Sequence, residues 1–329
     1  MHITIAICTH NRAELLRDTL ASLFAMDLTE GLHFDVLVVD NCSADESAQV
    51  TEEFSRKYPG LVNYHLESKL GLVYARNAAI QQAKGDIIAF VDDDIFFDPG
   101  WLQATAGMMT RYPGASCMAG RIVPLFESGR PHWLGDDPAW LNIEGLYGAT
   151  KFGDAERMLV YPEHALGGNM VFRKEAFGKA GLFDPALGRY GKSLLSKEES
   201  EFFVRMERAG LRTVYSPEAW VTHRIPPERA NKEWVVRRFY WQGISQVLFE
   251  GLTANPSKRC LLSGIKNDLT GLWKILFGAS LSPKAMYWQI KQWQFWHKVF
   301  VAYTWGVLKQ RVKQLLYAAP KKIQPEGSR

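Results

Sequence analysis

Long apolar runs are missing from this 329-residue chain, and their absence bears first on membranes. No window approaches the roughly 20 apolar residues that a bilayer span needs. The nearest, residues 299–308, is bounded closely by Lys298 and Lys309. The opening Met1-His2-Ile3-Thr4-Ile5 lacks the basic-then-apolar layout of a secretion signal, so the chain is expected not to cross a membrane by itself. Cysteine is scarce: Cys8, Cys42, Cys117 and Cys260 lie far apart, with no CxxC pair and no Cys/His cluster. In strand-like contexts free cysteine behaves as a small hydrophobe, and a reducing cytosol is the expected compartment. Acidic residues nearly vanish toward the end. Residues 251–329 carry 13 Lys/Arg against only Asp268 and Glu326, a net +11, while the preceding 250 residues carry −7. A split of that size predicts two parts with different partners.

What is present is an ordinary globular composition, 47% hydrophobic and 22% charged. The first half alternates short β-rich runs with helical patterns, which predicts an α/β fold with a mostly parallel sheet between helices. Strands are expected at 3–8, 34–39, 61–66 and 87–91, with helices at 12–25 and 71–83 between them. Ser43-Ala44-Asp45-Glu46 has capping-box spacing for a further helix. A helix after Pro99 and a strand at 117–123 follow. Residues 124–162 are rich in Gly, Pro and Trp without a clear period and read as a long functional loop region. Regular signals return at 167–172, at a helix over 197–209, and at short strands near 215–217 and 221–223. Beyond Pro226-Pro227 everything reads as helical, so the domain boundary is placed at 225/226.

The most informative segment is Asp92-Asp93-Asp94, after a strand apolar enough to be buried on both faces. In an open α/β sheet the carboxyl ends of the strands are where ligands bind. Three adjacent carboxylates there repel one another. A divalent cation would offset that repulsion, and such hard oxygen ligands suit Mg²⁺ or Mn²⁺. The same triplet is also compatible with a solvated acidic turn leading into Asp98-Pro99.

Further pieces accompany it: residues 6–12 (Ala-Ile-Cys-Thr-His-Asn-Arg), 38–43 (Val-Val-Asp-Asn-Cys-Ser), 71–77 (Gly-Leu-Val-Tyr-Ala-Arg-Asn), 168–173 (Gly-Asn-Met-Val-Phe-Arg), 181–184 (Gly-Leu-Phe-Asp), Glu198-Glu199 and His223. In this order they resemble family 2 glycosyltransferases of the GT-A fold, over roughly residues 3–245. The resemblance implies transfer of a sugar, with inversion, from a nucleotide-sugar donor to a hydroxyl of a saccharide or lipid-linked acceptor. Donor contacts would fall to Thr9, Asn11, Arg12, Asp40, Arg76, Asn77, Asp92 and Asp93. Asp40 matches an aspartate that usually hydrogen-bonds uracil, which favours a UDP-sugar. Asp92, Asp94 and His223 would hold Mn²⁺ or Mg²⁺, and Gly168 and Asn169 would face the acceptor. The family pattern at 198–199 is Glu-Asp with the second residue as general base. This chain has Glu-Glu, so Glu199 takes that position and Glu198 is the alternative.

The basic end carries Lys284, Lys291 and Lys298 at seven-residue spacing, interleaved with Trp288, Trp293, Trp296, Phe300, Tyr303 and Trp305. Basic residues with such aromatics fit a helix lying on an anionic membrane surface; packing on the catalytic domain or in a dimer is the alternative. Other classes fit less well. A nucleotidyltransferase is expected to carry a Gly-rich phosphate loop where Thr9-His10-Asn11-Arg12 stands. A processive synthase should show membrane spans and a QxxRW motif. A nucleic-acid binder would use the basic end, but no nucleic-acid motif accompanies it and no such partner is expected.

Overall fold

The computed structural model describes residues 1–27, 31–134, 143–150, 152–191, 193–254, 263–266 and 286–317; within the last segment it describes the side chains of 295, 296 and 298 onward. Residues Met1–Val235 and Val236–Arg329 form two compact units.

The first unit is built on a nine-stranded sheet ordered β3-β2-β1-β4-β8-β6-β9-β5, with β7 also paired to β9. Strands β1 (His2–Thr9), β2 (His33–Asp40), β3 (Val62–Leu66) and β4 (Ile87–Asp92) are all parallel, as the alternation with α1 (Ala13–Phe24), α2 (Ser47–Lys57) and α3 (Leu72–Gln82) requires. Beyond β4 the sheet turns mixed. A tight turn at Asp93-Asp94 leads into β5 (Ile95–Phe97), which runs antiparallel to β9 (Thr213–Ile225). β8 (Met170–Arg173) is antiparallel to both β4 and β6 (Cys117–Phe126), while β6 and β9 run parallel. The two short strands expected near 215–217 and 221–223 are one strand. Its register against β6 jumps from Gly120↔Ser216 to Arg121↔Trp220, so Pro217-Glu218 marks a bulge and not an end. The irregular region read as loop also holds a short helix α5 (Ile143–Leu146) and β7 (Arg157–Leu159).

β4 alternates across the sheet as a strand covered on both sides must. Ile87, Ala89 and Val91 join a core with Leu16, Leu20, Val50 and Trp101, the last from α4 (Trp101–Arg111). Ile88 and Phe90 face the other core, with Ala75, Ala79, Phe177 from α6 (Glu175–Ala180) and Phe202 from α7 (Glu198–Arg208). The capping box expected at Ser43 is not formed. α2 starts at Ser47, and Asp45 accepts from the Ser47 N–H at 3.1 Å and from the Ala13 N–H at 2.9 Å, so one carboxylate serves the first turns of two helices. The ladder places Thr9 beside Asp40 and Cys8 beside Asp92, which gathers the ends of β2, β1 and β4 at one edge.

Helix α8 (Lys232–Ala254) runs into the second unit, which also contains α9 (Met286–Tyr317). The two helices touch backbone to backbone. A Cβ on Gly243 would lie 2.1 Å from the Tyr303 carbonyl oxygen, and one on Gly306 would lie 2.1 Å from that of Tyr240. Only glycine permits that approach. No helix among the described residues is long and apolar enough to cross a membrane.

The aromatic set expected to face lipid divides on this framework. Phe295, Trp296, Val299, Val307 and Leu308 are buried, Phe300 and Tyr303 are half-buried, and Trp305 stands exposed. Composition carries no phase; the helical period does, and it buries Trp296 while leaving Trp305 outward. Lys284 lies outside the described residues, as do the side chains of Trp288, Lys291 and Trp293, whereas Lys298 is exposed.

Candidate active site

The edge formed by β2, β1 and β4 meets the start of α7 through one buried side chain, Arg76 on α3. Its guanidinium donates to Glu198 Oε1 at 3.1 Å and to Glu199 Oε1 at 3.0 Å, and lies 3.8 Å from Asp92 Oδ1. Gly167 closes over this cluster. A Cβ there would lie 1.9 Å from Arg76 Nη2 and 2.8 Å from Glu199 Oε1, so any larger residue would displace the Arg76–Glu199 pair. Gly168 borders the other end, where a Cβ would come 3.4 Å from Asp92 Oδ2. Carboxylates from β4 and from α7 are therefore held one guanidinium apart.

The two adjacent glutamates have different environments. Burial pushes the Glu198 carboxyl up to about 7, helped by the charge of Glu199 and opposed by Arg76. Its Oε2 is buried without a hydrogen-bond partner. For Glu199 burial acts in the same direction, but Arg76 and the helix-start amide outweigh it and hold the group below the usual carboxylate range. The Glu199 side chain is 15% exposed against 3% for Glu198. Glu199 is thus the ionised, reachable member of the pair.

The aspartate triplet separates as sharply. Asp92 is 38% exposed at the strand end. Asp93 points inward, accepting from the Thr9 hydroxyl at 2.7 Å and from Arg12, and burial pushes its carboxyl up to about 7 against the pull of Arg12. Asp94 is also buried. Its Oδ2 accepts from Arg12 at 2.6 Å and faces Arg229 at 3.5 Å, while Oδ1 lies 3.3 Å from His223 Nε2 without hydrogen-bond alignment. Burial alone would raise Asp94; His223, Arg12 and Arg229 together hold it below its ordinary value. His223 Nδ1 is 2.6 Å from the Tyr147 carbonyl oxygen, an acceptor only, which requires the proton on Nδ1 and aims Nε2 at Asp94.

Several of the expected site residues are held by partners within the protein. Asn169 is fully buried, with its amide spent on the Arg121 and Ala219 carbonyls and the Trp101 indole, so it secures the sheet and cannot face an acceptor. Asn77 pairs with the backbone of Phe183 through both amide groups, at 2.9 and 3.1 Å, which removes it from the donor side. Thr9 and Asp93 satisfy each other in the interior. Asn11, with φ of 52°, ties the β1–α1 loop to Ser43 and Ala44. Asp40 is buried at the end of β2, accepting from the Ser43 N–H and the Tyr64 hydroxyl, both at 2.9 Å. No group of three or more His, Cys, Asp and Glu side chains is gathered as a metal site among the described residues. Asp94 and His223 meet, but Asp92 turns toward Arg76. Arg229 was not expected in the site; it follows Pro226-Pro227 with no local motif to mark it.

A divalent cation still fits the Asp94–His223 pair. An orphaned buried carboxylate oxygen and an imidazole nitrogen at 3.3 Å sit at about the separation of two adjacent ligands of one ion. The Nδ1–H···O=C bond supplies the outer-shell support usual for a ligating histidine.

Comparisons with known proteins bear on the family and on the fold. The family model for glycosyl transferase family 2 matches residues 4–180. The glucosyl-dolichyl phosphate glucuronosyltransferase of Haloferax volcanii is 27% identical over 260 residues, 78% of this chain and 80% of that one. The succinoglycan biosynthesis protein ExoM of Rhizobium meliloti is 29% identical over 250 residues, 74% and 73% of the two chains. Among solved structures, the mannosyltransferase PcManGT of Pyrobaculum calidifontis, in complex with GDP-Man and Mn²⁺, superposes with a TM-score of 0.56 at 14% identity over 97% of this chain and 88% of that one. The fold is GT-A.

Proposed function

This chain belongs to glycosyl transferase family 2, and we propose that it transfers a sugar, with inversion and with the help of a divalent cation, from a UDP-sugar to a hydroxyl of a saccharide or lipid-linked acceptor. The observation that carries this reading is the Arg76 bridge, which sets the exposed Asp92 of the strand edge against the ionised Glu199 of α7. Donor and acceptor sides converge there.

Glu199 accepts the proton of the acceptor hydroxyl as that oxygen attacks the anomeric carbon. The bond from the anomeric carbon to the diphosphate breaks, and the nucleoside diphosphate leaves on the opposite face. Arg12 and Arg229, each about a quarter exposed beside Asp94, present positive charge to the diphosphate. When bound, Mn²⁺ or Mg²⁺ held by Asp94 and His223 would offset the charge that develops on the leaving group. Two protein ligands suffice where substrate phosphates complete the shell. Asp40 keeps unused lone pairs, and Tyr64 beside it is 44% exposed, which supports a base bound at that strand end. The nucleotidyltransferase reading has no corresponding phosphate loop, since Thr9 to Arg12 is occupied with Asp93, Asp94 and the neighbouring loop.

A ligand that binds only the folded state raises the melting temperature. With Mn²⁺ present, UDP is expected to raise it more than GDP does. A larger shift with GDP would reassign the base, and no shift with any nucleotide would remove the transferase reading from this edge.

A further inference from the structure

We propose that the outward face of α9 docks the protein on an anionic bilayer surface. Lys298, Trp305, Lys309, Val312 and Leu316 follow one another at intervals of seven, four, three and four residues. At 3.6 residues per turn they fall within about 60° of one another, along roughly 27 Å of helix. All five are exposed, with Leu316 at 72%, Trp305 at 59% and Val312 at 43%. Lys313, exposed, flanks the same stripe. The seven-residue lysine spacing of the sequence thus continues past Lys298 into Trp305 and Val312. The opposite side of the helix is committed, because Val299, Val307 and Leu308 are buried and Gly306 lies against the backbone of α8.

The chemistry of the stripe selects among occupants. Its three apolar side chains gain nothing from water or from a phosphate backbone, which counts against a nucleic acid. A second copy of the helix would set Lys298, Lys309 and Lys313 against themselves, and no acidic residue lies anywhere in Met286–Tyr317 to relieve that. Lipid acyl chains take Trp305, Val312 and Leu316, while anionic headgroups take the lysines, whose long stems reach outward from a helix lying in the interface. Lys309 also donates to the Tyr240 hydroxyl at 3.1 Å, so Lys298 and Lys313 are the cations given chiefly to headgroups.

The test uses the full-length chain and vesicles of phosphatidylcholine with or without phosphatidylglycerol. The protein is expected to sediment with the anionic vesicles and far more weakly with neutral ones. Binding should weaken with salt but persist, since apolar burial is not screened. The double variant Trp305→Glu/Leu316→Glu should lose at least tenfold in affinity at every salt concentration. Lys298→Gln/Lys313→Gln should lose about fivefold per lysine at low salt. Both change exposed positions, so unchanged circular dichroism and melting temperature confirm that the loss is not unfolding. A wild-type protein that stays in the supernatant with anionic vesicles at low salt overturns the proposal. So does sedimentation that both variants leave unchanged, or a concentration-dependent dimer that Trp305→Glu abolishes. The assay contains no donor sugar, so its failure leaves the transferase reading untouched.

Discussion

Replacing Arg76 by methionine is expected to destabilise the fold by about 3–5 kcal/mol at pH 8 and by markedly less at pH 5. The substitution preserves the apolar stem and removes the guanidinium bonded to both Glu198 and Glu199. In the wild-type protein Glu199 sits below its ordinary value, so its contribution is present above that value and lost as the pH falls through the folded one. Without Arg76, burial is left to act on both carboxyls, and each folded value rises above the unfolded one. A raised carboxyl contributes stability at low pH and loses it as the pH rises through the folded value. The variant's melting temperature should therefore fall further behind the wild type with each step from pH 5 to pH 8. A constant gap across that range would mean that Arg76 acts through packing alone. The acid limb of turnover should also move upward, because Glu199 would no longer be ionised so readily.

Glu199→Gln is expected to cut turnover by about 10²–10⁴-fold while leaving UDP binding nearly intact. The amide keeps the shape and can still meet Arg76, but it cannot take a proton from the acceptor. Glu198→Gln should cost far less, since a carboxyl pushed up to about 7 is already largely neutral below that pH, and glutamine imitates the neutral form. It should also flatten the decline in wild-type stability between about pH 4.5 and pH 7. Turnover at saturating donor is the readout. Near-normal turnover in Glu199→Gln, with a large loss in Glu198→Gln, would move the base to Glu198.

Much of the scaffold was legible because β4 and its neighbours are short apolar runs alternating with helical periods, and that pattern has few solutions. The rest fails for identifiable reasons. Pro217-Glu218 looks like a strand end, and only pairing with β6 shows it to be a bulge. α6 is six residues long, too short to display a period. In the candidate site, the order of motifs singled out Asp92, Asp94, Glu199 and His223, but not the direction in which each points. Consecutive aspartates on the β4–β5 turn diverge, so Asp93 goes to Thr9 and Arg12 while Asp92 stays at the surface. Asn77 and Asn169 carry groups as suited to backbone carbonyls and amides as to sugars, and burial decided for the backbone. Arg229 reaches Asp94 from 135 residues further along the chain, a contact no local pattern announces.

On the proposed function, this edge binds a nucleoside diphosphate through a cation held by Asp94 and His223. Calorimetric titration of UDP tests it most directly, run in Mn²⁺, in excess EDTA, and in Mn²⁺ with the Asp94→Asn variant. UDP is expected to bind the wild-type protein in Mn²⁺ and to lose most of its affinity in EDTA and in the variant. Equal affinity in all three would mean that no cation at Asp94 and His223 takes part in UDP binding.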